Sequence, residues 1–478
     1  MACASGSYRN APDFSRLPVL PAALAASIIS IAAGCALKSP PDANAIKGEA
    51  IPTVQVPAQW TGAAPGAVAG NWVVTFGDDQ LNSAVAEAIA HNADLRVSAT
   101  RVEQAMLYAK LAGAKLYPSV DLLARGGGKM SGDNTGLQGA VLTATWELDL
   151  WGRVRYGRAA AVADAASVQA DFEYARQSIA AAVAKNWFLA TEAALQAEVA
   201  RSTIFGGDEL VRLAQARSQI GVGNDEDVFV ARATTGTYRD TLRQLELARD
   251  QAIRALELLM GRYPAAAAAV APQLPGQPES VPAGLPSELL ERRPDVIAAE
   301  RRVAAAFNRI HEAKAARLPT IALTAGVSSV SSDLIVLQDR DNPIWNLGAS
   351  LLMPIYKGGA LKTQVEIRTA EQKQAIAAYA SVGLRAFGEV ENALASEIAA
   401  RERERILSQV VADNQRALEI VQTQYKVGST DLRFVSQRQL ALDATQAALI
   451  RMQAEQRVQR VNLHLALGGS FGIRVPQP

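Results

Sequence analysis

Cysteine and histidine are nearly absent from this 478-residue sequence, which has two of the first and three of the second. Two cysteines cannot build a disulfide scaffold. His91, His311 and His464 lie far apart, each without a neighbouring cysteine or histidine, so no metal site of those ligands is expected. Excess charge of one sign is missing too. With 48 Lys+Arg against 47 Asp+Glu the formal charge is +1, which argues against a nucleic-acid binder held by phosphate neutralisation. Catalytic signatures are thin. Gly126-Gly-Gly128 does not complete a phosphate-binding loop, and acidic residues are scattered along predicted helices as surface charge. Neither an enzyme nor a cofactor is expected. Aromatic residues make up only 5% of a chain that is 49% apolar, so the apolar half is mostly alanine and small aliphatics. Alanine favours helix and close helix contact but buries little area per residue. Long helices packed side by side fit that composition better than one thick core.

The N-terminus carries Arg9 and Arg16, then an apolar run from Leu17 to Gly34, then Cys35. A basic start, an apolar middle and a small-residue exit describe a secretory signal over residues 1–34. A membrane-spanning helix is the alternative, but Pro18 and Pro21 interrupt a run that barely reaches the roughly 20 residues a bilayer requires. Ala32, Ala33 and Gly34 before Cys35 resemble a bacterial lipobox, with Ala32 where leucine is usual. That resemblance implies an acylated Cys35 as the first mature residue. Ala36 after it resembles outer-membrane sorting, and an unmodified cysteine is the alternative. Residues 35–70, rich in Pro, Gly and Ala, read as an extended tether.

The rest of the chain repeats itself. Lys115-Leu-Tyr-Pro118 is echoed by Arg317-Leu-Pro319, and Leu148-Asp-Leu-Trp-Gly-Arg153 by Met353-Pro-Ile-Tyr-Lys-Gly-Gly359. Gly221 matches Gly428, and Leu256-Glu-Leu-Leu-Met-Gly261 matches Leu463-His-Leu-Ala-Leu-Gly468. The offsets are about 201, 205, 207 and 207 residues. Two copies of one unit follow, residues 71–263 and 287–470, joined by a proline-rich linker 264–286 and followed by a tail 471–478.

Each copy has the order helix, two strands, very long helix, sharp turn, helix. Asp79 to Ala114 has the helical period, with Leu81, Val85, Ala88, Ile89, Leu95 and Val102 as candidate core. The strands form hairpins over 119–150 and 320–355. Leu142, Ala144, Trp146, Leu148 and Leu150 alternate with polar residues, as do Trp345, Leu347, Ala349 and Leu351, while Leu352 breaks the second pattern. Polar-in, apolar-out strands of about ten residues match a membrane barrel wall, and ordinary half-buried hairpins are the alternative. Four strands cannot close a barrel, and lipid does not tolerate open sheet edges, so the barrel reading requires several chains. The stretches Arg153–Gln219 and Gly359–Lys426 are proline-free over about 67 residues, near 100 Å of helix. The two shorter helices of each copy total roughly the same length, so stacked end to end they could flank a long one.

Three stretches carry a family resemblance: Trp146-Glu147-Leu-Asp149-Leu-Trp-Gly152-Arg153; the run from Gly284 to Arg302 containing Glu291-Arg292-Arg293-Pro294-Asp295; and the glycine turns at Gly221 and Gly428. Together they resemble the TolC-like outer membrane factor family, and within it the NodT-type lipoproteins of RND efflux systems. The resemblance implies a mainly α fold with a small β part: a trimeric α-helical barrel continuous with a twelve-stranded outer-membrane β-barrel, four strands per chain. It implies a passive efflux channel in the bacterial outer membrane, lipid-anchored and extending into the periplasm. The implied partners are two further copies (a homotrimer), a periplasmic membrane-fusion adaptor, an inner-membrane RND pump and outer-membrane lipid, with no nucleic acid. A structural or adhesive trimeric coiled-coil lipoprotein without a channel is the alternative. By matched position, the turns form the periplasmic entrance, with Tyr425 a gating tyrosine beside Gly428, Thr430 and Asp431. Asp225, Glu226 and Asp227 beyond Gly221 are candidates for a charged ring, while Phe434 and Gln437 stand where relatives carry aspartates. Glu291 to Asp295 read either as a fixed, salt-bridged helix start or as a solvated cluster.

Overall fold

The structure, a computed structural model, describes residues 37–62, 66, 68, 70–125, 138–276, 281–331 and 344–469. The signal segment, Cys35, Gly126–Gly128 and the tail 471–478 lie outside the described residues.

The elements run α1 (Ala43–Ala50), α2 (Asp79–His91), α3 (Ala93–Ala114), β1 (Ser119–Arg125), β2 (Gln138–Leu148), α4 (Arg153–Gln219) and α5 (Asp225–Leu259). They continue with α6 (Leu289–Arg292), α7 (Pro294–Ala315), β3 (Thr320–Ser331), β4 (Ile344–Leu352), α8 (Ala360–Lys426) and α9 (Leu432–Ala466). Both α4 and α8 have 67 residues, and both α5 and α9 have 35. The chain is thus mainly helical with one small antiparallel sheet. No described helix is long and apolar enough to cross a membrane.

The chain divides into two compact units, one of residues 1–40, 110–160 and 307–370, the other of residues 41–109, 161–306 and 371–478. The first holds a four-stranded sheet in the order β1-β2-β3-β4, antiparallel throughout. Directly paired residues share a face, so the register sorts the side chains. One face carries Leu122, Leu142, Val327 and Trp345 in one row and Val120, Ala144, Ala325 and Leu347 in another. The opposite face carries Asp121, Thr143, Gly326 and Asn346, then Ser119, Thr145, Thr324 and Gly348. Leu352 sits on this polar face opposite Thr320, and the row Leu123, Val141, Ser328, Ile344 adds a further apolar rung. The apolar face is open to solvent in the single chain: Leu122 is 69% exposed, Trp345 77% and Leu347 86%. Among the described residues, then, no core of this chain packs against that face, unlike the apolar side of an ordinary half-buried hairpin.

In the second unit, alanine spacing does the packing. Ala180, Ala181, Ala184, Val183, Trp187 and Phe188 of α4 are buried against Leu81, Val85, Ala88 and Ile89 of α2, with Leu95 of α3 and Leu256 of α5. A second core joins Ile46 and Trp60, ahead of the first copy, to Leu289, Val296 and Val303, and to Tyr379, Val390 and Leu394 of α8.

Two expected helices are interrupted. Asp79 to Ala114 breaks at Asn92, whose side chain accepts the Leu95 N–H at 3.1 Å and donates to the Leu259 carbonyl at 2.9 Å. One asparagine thereby starts α3 and closes α5, and apolar periodicity, which runs straight through the break, does not reveal it. The helix leading into the second hairpin is likewise split, α6 ending at Arg292 and α7 starting at Pro294 after an extended Arg293. A residue before proline disfavours helical angles, so the proline sets this start.

Arg293 resolves the choice left open for its cluster. It is 1% exposed, holds Asp295 with two bonds of 3.0 and 2.8 Å, and donates to the Ala466 carbonyl at the end of α9 at 3.0 Å. Its Nη1 also lies 2.7 Å from Glu389 of α8. Gly468 (φ +68°) passes directly over it, where a Cβ would come within 3.2 Å of its side chain. Leaving such buried charges unpaired costs about 3–5 kcal/mol. Among the other members, Arg292 pairs with Glu288 at 3.1 Å, and Glu291 is exposed.

His464, also buried on α9, stacks on Trp72 with ring centroids 5.6 Å apart, and neither ring nitrogen has a hydrogen-bond partner among the described residues. Burial, reinforced by Arg460, pushes its pKa down to about 3. The folded state thus favours neutral imidazole, and the stability this contributes is present above the ordinary histidine pKa and lost as pH falls below it. His464→Phe, which keeps the stacking, should move the acid-unfolding midpoint to lower pH. Circular dichroism across an acid titration checks this, and an unchanged midpoint contradicts it.

Candidate functional site

The residues singled out by sequence gather at three places: a pair of helix turns, the strand-to-helix junctions and the Arg293 cluster. The turns follow from glycine and capping chemistry. α4 ends where Gly221 takes φ +75°, and the N–H groups of Val222 and Gly223 both reach the Arg217 carbonyl at 3.0 Å. α8 ends in the same way at Gly428 (φ +80°), with the Ser429 N–H closing back on Gln424 at 2.9 Å. Only glycine takes these angles at little cost, which is why both copies have it there. Asn224 then caps α5 by accepting the Asp227 N–H at 2.8 Å, and Asp225, Glu226 and Asp227 fill the positive first turn. Asp431 precedes α9 without a side-chain cap.

The two turns are tied together. Arg217 lays its guanidinium over the Tyr425 ring at 4.9 Å and donates to the Tyr425 carbonyl at 3.2 Å. Arg433 pairs with Glu226 at 2.9 Å, and Ser218 donates to Asp225 at 2.7 Å. Beneath them Ala214, Val228, Ala231, Leu418, Leu432 and Val435 are buried with Tyr425, which is 2% exposed. The Tyr425 hydroxyl has no hydrogen-bond partner among the described residues. Burial pushes its pKa up, with Asp227 adding and Arg217 opposing. Burial also raises the Asp227 pKa, helped by Asp431 and Glu226 and opposed by Arg217 and Arg433. Thr430 is half-buried, whereas Phe434, in the first turn of α9, is 54% exposed. Sequence reading missed Arg217 and Arg433, because neither the charge pattern nor the local period says which distant residue an arginine will meet.

The junction residues form a second network. Glu147 takes Arg153 in two bonds of 3.0 and 2.6 Å, while Asp149 accepts the N–H groups of Val154 and Arg155 at 3.0 and 2.9 Å, capping α4. Gly152 (φ +77°) turns the chain between them, and a Cβ there would lie 2.8 Å from Leu37. Trp146 donates to the Leu116 carbonyl at 2.9 Å and Trp151 to that of Pro319 at 2.7 Å. The Lys38 N–H reaches the Tyr156 hydroxyl at 2.8 Å, so the first described residues rest on this junction.

Nothing in these places is arranged for bond making. Among the described residues no three His, Cys, Asp or Glu side chains are placed to hold a metal. Gly468-Gly-Ser-Phe-Gly472 fits the Gly-Xaa-Ser-Xaa-Gly spacing of hydrolases, which sequence reading overlooked. That motif works at a turn from strand to helix, whereas Gly468 closes the end of a helix, and Ser470 lies outside the described residues.

The comparisons with known proteins agree with one another. The family described as "Outer membrane efflux protein" matches residues 84–262 and 285–469. The chain is 30% identical over 421 residues to the pyoverdine export outer membrane protein OpmQ of Pseudomonas aeruginosa, covering 84% of this chain and 87% of that one. It is 29% identical over 411 residues to the cation efflux system protein CusC of Escherichia coli, covering 84% and 88%. Among solved structures, CusC superposes with a TM-score of 0.77 at 26% identity over 88% of this chain and 99% of that one. The open-state MtrE outer membrane channel of Neisseria gonorrhoeae gives 0.76 at 25% identity over 91% and 98%.

Replacing Arg217 with Met should loosen the tie between the turns by about 1–2 kcal/mol. Amide exchange over 214–228 and 421–432 should then accelerate about tenfold; unchanged exchange there contradicts the assignment.

Proposed function

Because this chain belongs to the outer membrane efflux protein family, we propose that it is the outer-membrane channel subunit of a tripartite efflux pump, conducting small molecules passively outward. The observation that carries this reading is the sheet: one apolar face open to its surroundings, one largely polar face, and two edge strands, β1 and β4, with no partner among the described residues. Lipid accepts a sheet only as a closed barrel, so three chains supply twelve strands, with the apolar face outward and the polar face lining a lumen. An adhesive coiled-coil assembly would have no use for a polar strand face. The copies 71–263 and 287–470, joined by 264–286, each contribute one hairpin, one long helix and a stacked pair of shorter ones.

In this reading the helices of three chains form the periplasmic barrel, and the turns at Gly221 and Gly428 are its entrance, presented to a membrane-fusion adaptor. Tyr425 and Arg217 hold the entrance narrow, and Asp225, Glu226 and Asp227 repeat as a ring of carboxylates about the threefold axis. An RND-type inner-membrane pump supplies the energy and most of the selectivity. Two of the chain's relatives are named for pyoverdine export and for cation efflux, which supports cargo of this size class. The run from Gly284 to Arg302, which resembles the signature of the NodT-type lipoproteins, supports membership of that branch. Leu37 and Lys38 resting at the β2–α4 junction support acylation of Cys35, because two residues span only about 7 Å and the anchor then starts beside the membrane-facing sheet.

Planar-bilayer recordings test the reading. The purified protein should give discrete conductance steps that Arg217→Met or Tyr425→Ala enlarges. No conductance from any of the three would contradict it. The anchor is tested separately: Cys35→Ser should abolish palmitate labelling, and persistent labelling would remove lipidation from the account.

A further inference from the structure

The four strand-to-helix junctions lie at one end of the sheet, as the register requires: Ser119 pairs with Thr145, Leu148 with Ile321 and Thr320 with Leu352. That end carries an unusual combination. Tyr117 after α3 is 73% exposed, Trp151 before α4 is 45% exposed and Tyr356 before α8 is 87% exposed. Lys115, Arg317 and Lys357 stand beside them, all exposed and none in an ion pair with a described residue. The neighbouring acids are already engaged, Glu147 by Arg153 and Asp149 by Arg155 and two backbone N–H groups. Positive charge is therefore left over at this level. The duplication reproduces the arrangement, with a basic residue before each hairpin (Lys115, Arg317) and an aromatic one after it (Trp151, Tyr356).

We propose that this collar is a binding surface for anionic phospholipid, with headgroup phosphates on Lys115, Arg317 and Lys357 and the rings of Tyr117, Trp151 and Tyr356 at the headgroup–acyl boundary. The inference rests on the channel reading, which puts the sheet in a membrane. Aromatic rings settle at that boundary because one end is apolar and the other polar, and cations beside them meet the phosphate layer. A free phosphate ion would need donors converging on one point and would gain nothing from the rings. Here the cations are spread around a rim, which fits a row of headgroups. Such a collar fixes the depth at which the sheet sits.

The test reconstitutes the full-length protein in vesicles of equal phosphatidylglycerol and phosphatidylcholine, extracts it in mild detergent and counts retained lipids by native mass spectrometry. The wild type should retain phosphatidylglycerol preferentially. Each of Lys115→Gln, Arg317→Gln and Lys357→Gln should reduce that preference about fivefold, equivalent to about 1 kcal/mol. Lys373→Gln, an exposed cation of the helical unit, should leave it unchanged, as should excess inorganic phosphate. No preference in the wild type, full preference in the triple variant, an equal loss in Lys373→Gln, or displacement by inorganic phosphate overturns the collar. Bilayer recordings on the same preparations separate the two levels. Conducting channels without lipid preference overturn the collar alone, whereas absence of conductance removes the channel reading on which it rests.

Discussion

The backbone N–H and C=O groups along β1 and β4 are the constraint on which the rest of the account depends. In water an unpaired edge is tolerable; in hydrocarbon each unsatisfied group costs several kcal/mol. A sheet that shows Leu122, Trp345 and Leu347 on one face suits hydrocarbon, yet among the described residues both of its edges are open. Both facts are satisfied when the edge of one chain pairs with the edge of the next. In the proposed channel, association of several chains is a consequence of the sheet and not an addition to it.

The other features serve that arrangement. Long helices must pack closely, and within the chain the alanines at 180, 181 and 184 permit it, being small and buried against α2. A seam of small residues yields little stability per contact, so it needs fixed points. Arg293 is one, gathering Asp295, Glu389 and the end of α9. Glu257 is another, accepting the N–H groups of Ala266, Ala267 and Ala268 at 2.7–2.9 Å and holding the start of the linker against α5. At the helix turns the contacts differ in kind: a cation over a ring, one exposed ion pair and a tyrosine hydroxyl left unpartnered. Contacts of these kinds are individually weak, which suits the gate proposed for the turns.

Much of this was legible in the sequence, for definite reasons. The strand alternation, the 67-residue helices and the glycine turns are periodic or local features, and the repeat wrote each of them twice. What stayed hidden depends on residues far apart. Asn92 breaks a helix whose apolar spacing continues unbroken, because its amide serves Leu95 and Leu259 at once. The Arg293 cluster reads equally well as solvated or buried until Ala466 and Gly468 are seen against it. Arg217 was passed over because the residue it grips, Tyr425, belongs to the other copy. Local pattern reports the elements, while the pairing of single polar groups waits on the fold.

The central claim is that one chain is an incomplete wall. Its most direct test is the number of polypeptides in the particle extracted from outer membranes in mild detergent, measured by sedimentation equilibrium with the detergent contribution matched out. The account predicts three chains per particle, with no folded monomer in the membrane fraction. A stable, membrane-inserted single chain would contradict it.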